Sequence, residues 1–161
     1  MGRILKIGLW LIGLWVASAA SSTELDLGLK AYKAGDYETA LRVLRPLAEQ
    51  GIARAQFILG LMADSGEGIV KDQRQAAKWY QLAAEQGSAY SQVSLGYLYF
   101  FGEGVRKDKV YALMWFNLAT SRGYKQASEA KKTISNIMTP SQIEKAQELA
   151  RQCVKKNYKD C

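Results

Sequence analysis

The chain has 161 residues, a formal net charge of +7, 48% hydrophobic residues and 23% charged ones. This is an ordinary globular balance in a chain long enough for one domain with a continuous core. It contains no histidine, which removes the commonest general base and the commonest metal ligand.

Residues 1–20 read as a signal peptide. Arg3 and Lys6 form a basic start, Ile7 to Val16 is apolar, and Ala17-Ser18-Ala19 supplies a small-x-small cleavage site. An uncleaved anchor is the alternative, but the apolar run falls short of the about 20 residues of a membrane span. No cysteine stands at the cleavage point to take a lipid. The expected location is periplasmic or secreted, with no membrane span after cleavage.

Residues 21–51 form a first helical hairpin. Ser22 to Ala34 spaces Leu25, Leu29 and Tyr32 along one side of a helix. Gly35-Asp36 breaks it, Asp36 caps the next helix, and Gly51 ends that one. Residues 52–87 and 88–123 are then one unit written twice. At a shift of thirty-six residues, fourteen positions are identical, among them Leu59/Leu95, Gly60/Gly96, Asp72/Asp108, Ala76/Ala112 and Trp79/Trp115. Such a period marks a repeat architecture.

Each repeat reads as two helices joined by Gly66-Glu67-Gly68-Ile69 or Gly102-Glu103-Gly104-Val105. Neither a preceding strand nor a following Lys-Ser/Thr is present, so the glycines make a turn and not a phosphate cradle. Asp72 and Asp108 cap the second helices, and Gln75 completes a capping-box pattern. Gly60 and Gly96 cost about 1 kcal/mol each inside a helix, tolerable where a neighbour packs on bare backbone. Trp79, Tyr80, Trp115 and Phe116 recur with the period and read as filler between hairpins.

Residues 124–161 cap the array. Tyr124 to Ile137 reads as a helix, and Thr139-Pro140-Ser141-Gln142 starts another that runs to about Lys156 with one apolar face. Arg151, Lys155, Lys156 and Lys159 read as a solvated helix end meeting its dipole, with attraction to an acidic partner as the other reading. Cys153 and Cys161 are the only cysteines. Behind a signal peptide they read as a structural disulfide; a redox pair is the alternative, though the spacing is not Cys-x-x-Cys.

The pattern of Leu59, Gly60, Gly66, Gly68, Asp72, Ala76, Trp79, Tyr80, Ala83 and Gly87, repeated at Leu95, Gly96, Tyr99, Gly102, Gly104, Val105, Asp108, Ala112, Trp115, Phe116, Ala119 and Gly123, resembles the Sel-1-like repeat. That family is related to the tetratricopeptide repeat. The resemblance implies an all-α, right-handed α/α superhelix, a solenoid of about four helix-turn-helix units. Some secreted relatives carry a cysteine pair in each repeat; here there is one pair, outside the repeats.

The resemblance also implies that the first helix of each unit lines a partner-binding groove. It points to Tyr32 beside Leu25 and Leu29, to Arg54, Phe57, Leu61 and Asp64, to Tyr90, Val93, Tyr97 and Phe100, and to Glu129 with Gln126, Thr133 and Asn136. In the third unit this stripe turns aromatic: Asp64-Ser65 becomes Phe100-Phe101 and Gln75 becomes Tyr111. These aromatics are either partner anchors or packing for the next unit.

No catalytic constellation, metal-ligand cluster or cofactor motif is present in the sequence. Ser128-x-x-Lys131 matches one motif of penicillin-recognising enzymes without its Ser-Asp-Asn and Lys-Thr-Gly companions. The expected function is a non-catalytic adaptor or scaffold that binds a protein or peptide. The alternative is a small secreted enzyme or binder acting on cell-wall material or β-lactams. No basic stripe runs through the repeats, which argues against a nucleic-acid partner.

Overall fold

The computed structural model describes residues 22–161, so the signal-peptide reading lies outside the described residues. Among them are eight helices and no strand. The described part of α1 covers 22–33. It is followed by α2 (Tyr37–Glu49), α3 (Ala53–Ser65), α4 (Gln73–Ala84), α5 (Ala89–Phe101), α6 (Lys109–Ser121), α7 (Ala127–Ser135) and α8 (Pro140–Lys155). α3 packs on α4 and α5 on α6 as the two full units of an all-α solenoid, with α1 and α2 before them and α7 and α8 after.

Local chemistry sets the period. Asp36, Asp72 and Asp108, thirty-six residues apart, each cap a second helix by accepting from its first-turn N–H groups. The side chain of Gln75 does not return the bond, so the capping box read at Asp72 is only half made. At Thr139 both halves form, with Gln142 reaching back to the Thr139 N–H.

The helical glycines are contact points. A Cβ on Gly28, Gly60 or Gly96 would lie 2.5 Å from Leu44, Tyr80 or Phe116 respectively. Each second helix therefore seats one large side chain on the bare backbone of its partner. The turn glycines join units to each other. Gly68 packs against Tyr37 Cβ, and Gly104 against the Gln73 carbonyl and Arg74 N, so each long turn sits over the start of the preceding unit's second helix. A Cβ has no room at Gly104, where φ is +68°.

Two buried glutamines seal the helix ends between units. Gln56 Nε2 donates to the Ala48 carbonyl at 3.0 Å, and Gln92 Nε2 to the Ala84 carbonyl at 3.3 Å. Each adds a second donor to a last-turn carbonyl that already accepts from the Gly51 or Gly87 N–H.

The expected aromatic filler divides. Tyr80, Trp115 and Phe116 are fully buried, whereas Trp79 is half-buried against the first-hairpin core. Trp115 is covered because α8 packs on α6, bringing Ala150, Cys153 and Tyr158 into its cluster. Over Trp79 there is no such helix, since the long turn separates the second helices of successive full repeats.

The fourth unit departs most from expectation. α7 covers only Ala127–Ser135, shorter than Tyr124 to Ile137. Its N-cap residue Gln126 makes no side-chain cap, although Tyr124 keeps the periodic bond to the preceding helix end, donating to the Ala119 carbonyl as Ile52 does to Leu47 and Ser88 to Ala83. α7 and α8 both rest on α6 and do not pack on each other as α3 does on α4 and α5 on α6. After α8, Cys153 and Cys161 form a disulfide. It folds the tail back so that Tyr158 reaches the core and lies under the Arg122 guanidinium, 5.2 Å from ring centroid to Cζ.

Candidate functional site

The first helices α1, α3 and α5 present one side chain per turn to a shared face. Between them lies a cleft of about 460 Å3. Leu29, Tyr32 and Lys33 come from α1; Ala53, Arg54, Phe57 and Ile58 from α3; Tyr90 from α5 and Ser88 from its N-cap. The structure thus brings Tyr32, Arg54, Phe57 and Tyr90 together at one place.

A row of rings forms one side of this cleft. Phe57 lies 6.0 Å from the buried ring of Tyr80 and 5.6 Å from Tyr90, and Tyr90 meets Tyr124 edge-on at 4.9 Å. Tyr90 keeps 57% of its surface exposed, so the row ends in open ring faces. Tyr32 is fixed from outside the row: its hydroxyl donates to Glu67 Oε2 at 3.0 Å, from the turn of the next unit. Burial, then the hydrogen bond to Glu67, pushes the Tyr32 phenol up to about 12. Burial, then the nearby Asp64 charge, also pushes the Tyr80 phenol up.

Lys33 and Arg54 are exposed at the cleft and belong to no ion pair; among the described residues the one ion pair is Arg151–Glu148. No carboxylate lines the cleft. Ser88 Oγ accepts from the Ser91 N–H and hydroxyl, which makes it a helix cap with no base beside it. Aromatic faces, two free cations and an occupied hydroxyl suit non-covalent recognition.

The other predicted site residues lie elsewhere. Val93 is half-buried against the C-terminal core, and Leu61 against the two clusters that meet at α3. Asp64 accepts from Gln73 Nε2 at 3.4 Å. Tyr97 and Phe100 belong to a second aromatic group with Phe101, about 10 Å farther along α5 than Tyr90. There Tyr97 stacks on Phe101 and rests edge-on against Phe116, while Phe101 also meets Phe100. Tyr97 and Phe101 are 43% and 56% exposed, and Phe100 is half-buried. Glu129 is exposed on α7 and joins neither group. Lys33, Ser88 and Tyr124 were missed. For the last two the period held the signal, since Ile52, Ser88 and Tyr124 stand thirty-six residues apart.

Among the described residues, no helix is long and apolar enough to cross a membrane, and no group of three or more Cys, Asp or Glu is placed to hold a metal.

The family model of the Sel1 repeat matches residues 53–88 and 89–124. Among solved structures, a protective antigen present in uropathogenic Escherichia coli strains and displaying an SLR fold is 30% identical, with a TM-score of 0.80 over 86% of this chain. A Sel1 repeat protein from Oxalobacter formigenes is 36% identical, with a TM-score of 0.62 over 65% of this chain. The chain spans only 31% and 43% of the lengths of those two proteins. No curated protein matches the sequence. Sel1-repeat solenoids are in general non-catalytic modules for protein–protein interaction. With its two matched repeats and these SLR-fold neighbours, the chain is a member of the Sel1-repeat family.

Proposed function

We propose that the chain is a non-catalytic adaptor that holds a peptide segment of a partner protein along the face built by α1, α3 and α5. One observation carries this reading: the cleft of Tyr32, Phe57 and Tyr90 is rimmed by the unpaired cations Lys33 and Arg54 and assembled from three successive units. The rings supply rigid contact area at low entropic cost, and the cations set the direction of a bound chain. Tyr97 and Phe101 extend the surface along α5. Arg54, Asp64 and Glu129 are the charged positions of the stripe, of which only Arg54 reaches the cleft. The disulfide supports an oxidising destination, periplasmic or secreted. Ser128 is exposed on α7 with no base set against it, and nothing favours the cell-wall or β-lactam reading.

The test is a random-peptide display library selected on the immobilised protein. Enriched peptides are expected to lose about 30-fold in affinity on Tyr90→Ala, the cost of about 2 kcal/mol for a central aromatic anchor. Tyr97→Ala/Phe100→Ala together should abolish binding by peptides long enough to span both groups. Neither variant should melt like a core mutant. The proposal fails if no peptide is enriched, if binding survives these changes, or if the variants unfold.

A further inference from the structure

The splayed C-terminal hairpin leaves a second groove, distinct from the cleft. α6 forms its floor, with α7 on one side and α8 on the other, and it encloses about 690 Å3. Leu118, Ala150 and Val154 give it an apolar base, and Val154 is 45% exposed. One period earlier the equivalent positions Gln81, Leu82, Glu85 and Leu95 line a trough of about 620 Å3, closed there by the long turn at Gly104 and Val105 and not by a helix such as α8.

The charged groups at this groove are all cationic. Lys131, Arg151 and Lys155 rim it, and no carboxylate lines it. Arg151 already pairs with Glu148 at 2.8 Å, outside the lining, so Lys131 and Lys155 are the unspent charges. Asn117 adds a second observation. Its Nδ2 is a buried donor without an acceptor, on the lining of the same groove. An unmade bond of that kind is costly until an acceptor arrives.

We propose that this groove docks an acidic amphipathic helix of a partner protein. The trough runs along α8 from Gln147 to Lys155, about 12 Å or two helical turns, which matches apolar anchors at i, i+3/i+4 and i+7. Its mouth is open along that length, which suits side chains of an element lying across it better than an enclosed small molecule. Carboxylates flanking the anchors meet Lys131 and Lys155. A second copy of the chain docking through the same surface is disfavoured, because it would bring the same cations face to face.

The probe is a synthetic helical peptide with leucines at i, i+3, i+4 and i+7 and glutamates on the flanking positions, followed by fluorescence anisotropy. It is expected to bind the full chain with an affinity that falls as salt rises. Lys131→Glu/Lys155→Glu should weaken it by about tenfold or more. A peptide with lysines in place of the glutamates should prefer the doubly reversed protein, and unchanged melting would show that variant to be folded. Tyr90→Ala should leave this binding intact, which keeps the test independent of the cleft. Four results overturn the proposal: no binding at millimolar peptide, less than about twofold change on charge reversal, loss of binding on Tyr90→Ala, or capture of the protein by phosphatidylglycerol vesicles through the same lysines while the peptide is ignored.

Discussion

Gly96→Ala isolates the contact on which the repeat geometry depends. The added Cβ would lie 2.5 Å from Phe116 Cε1 and 2.8 Å from Cδ1 and Cζ. Phe116 is 1% exposed and is packed on its far side by the C-terminal core, so the ring cannot retreat without moving α6. Intrinsic helix propensity favours alanine by about 1 kcal/mol. Overpacking of a filled core costs about 1–3 kcal/mol, and three ring atoms under 3 Å put this site at the upper end. The net expectation is a loss of about 2 kcal/mol, or roughly 4–8 °C in Tm for a chain of this size. Thermal unfolding followed by far-ultraviolet circular dichroism, with the disulfide intact, measures it. In a Phe116→Ala background the clash is gone and the same substitution should turn stabilising by about 1 kcal/mol. A Gly96→Ala protein as stable as the parent, or an equal cost in both backgrounds, would refute the close-contact argument.

Gly104→Ala should be more damaging. Its Cβ meets the Gln73 carbonyl and lies 2.7 Å from Arg74 N, backbone atoms that cannot rotate away, at a φ of +68°; a loss of about 3 kcal/mol or more in urea unfolding is expected. Tyr32→Phe removes the bond to Glu67 in a half-exposed setting, for about 1 kcal/mol by the same assay. The parent also has an alkaline signature at this residue. The folded Tyr32 phenol sits at about 12 against an ordinary 10.0, so its stabilisation is complete below pH 10.0 and is lost as pH rises through about 12. A near-ultraviolet phenolate titration should lose that late-titrating group in Tyr32→Phe and in Glu67→Gln should see it move down. Cys153→Ser/Cys161→Ser opens a loop of sequence separation 8 and should cost about 2–3 kcal/mol, matched by reductant on the parent. If reductant leaves Tm unchanged, the tail does not contribute to the fold.

What the sequence made legible was whatever the thirty-six-residue period repeats. The caps Asp36, Asp72 and Asp108, the seats Gly60 and Gly96 and the paired repeats all follow from local chemistry that each unit performs for itself. What it concealed depends on which helix comes next. Trp79 and Trp115 are the same residue at the same position, yet one is half-buried and the other fully buried because only α6 carries α8. Apart from the buried Leu29, the stripe read along α1, α3 and α5 is exposed or half-exposed, but spacing alone could not show that it splits into two aromatic groups or that Glu129 lies apart from both. The second groove left no mark either. Its α6 and α7 side recurs one period earlier, but the wall that α8 supplies follows a short connection after α7 that no other unit has.

The same logic explains a defect inside the array. In the second unit Gln56 is satisfied on both sides: it donates to the Ala48 carbonyl, and its own carbonyl accepts from Gln86 Nε2 at 2.8 Å. One period on, Gln92 donates to Ala84, but its buried Oε1 has no donor. The residue at the position of Gln86 is now Arg122, whose guanidinium lies across Gly87 and over the ring of Tyr158 instead. A neutral hydrogen bond worth about 1 kcal/mol has been exchanged for a cation–π contact of about 0.5–1 kcal/mol, so the exchange brings no gain in stability by itself. Its effect is positional. Arg122 ties the disulfide-closed tail to the boundary between the two full repeats, and Tyr158 in turn packs against the cluster that buries Trp115. Tyr158 thereby adds to the contact of α8 with α6, the two helices that form the floor and one wall of the basic groove.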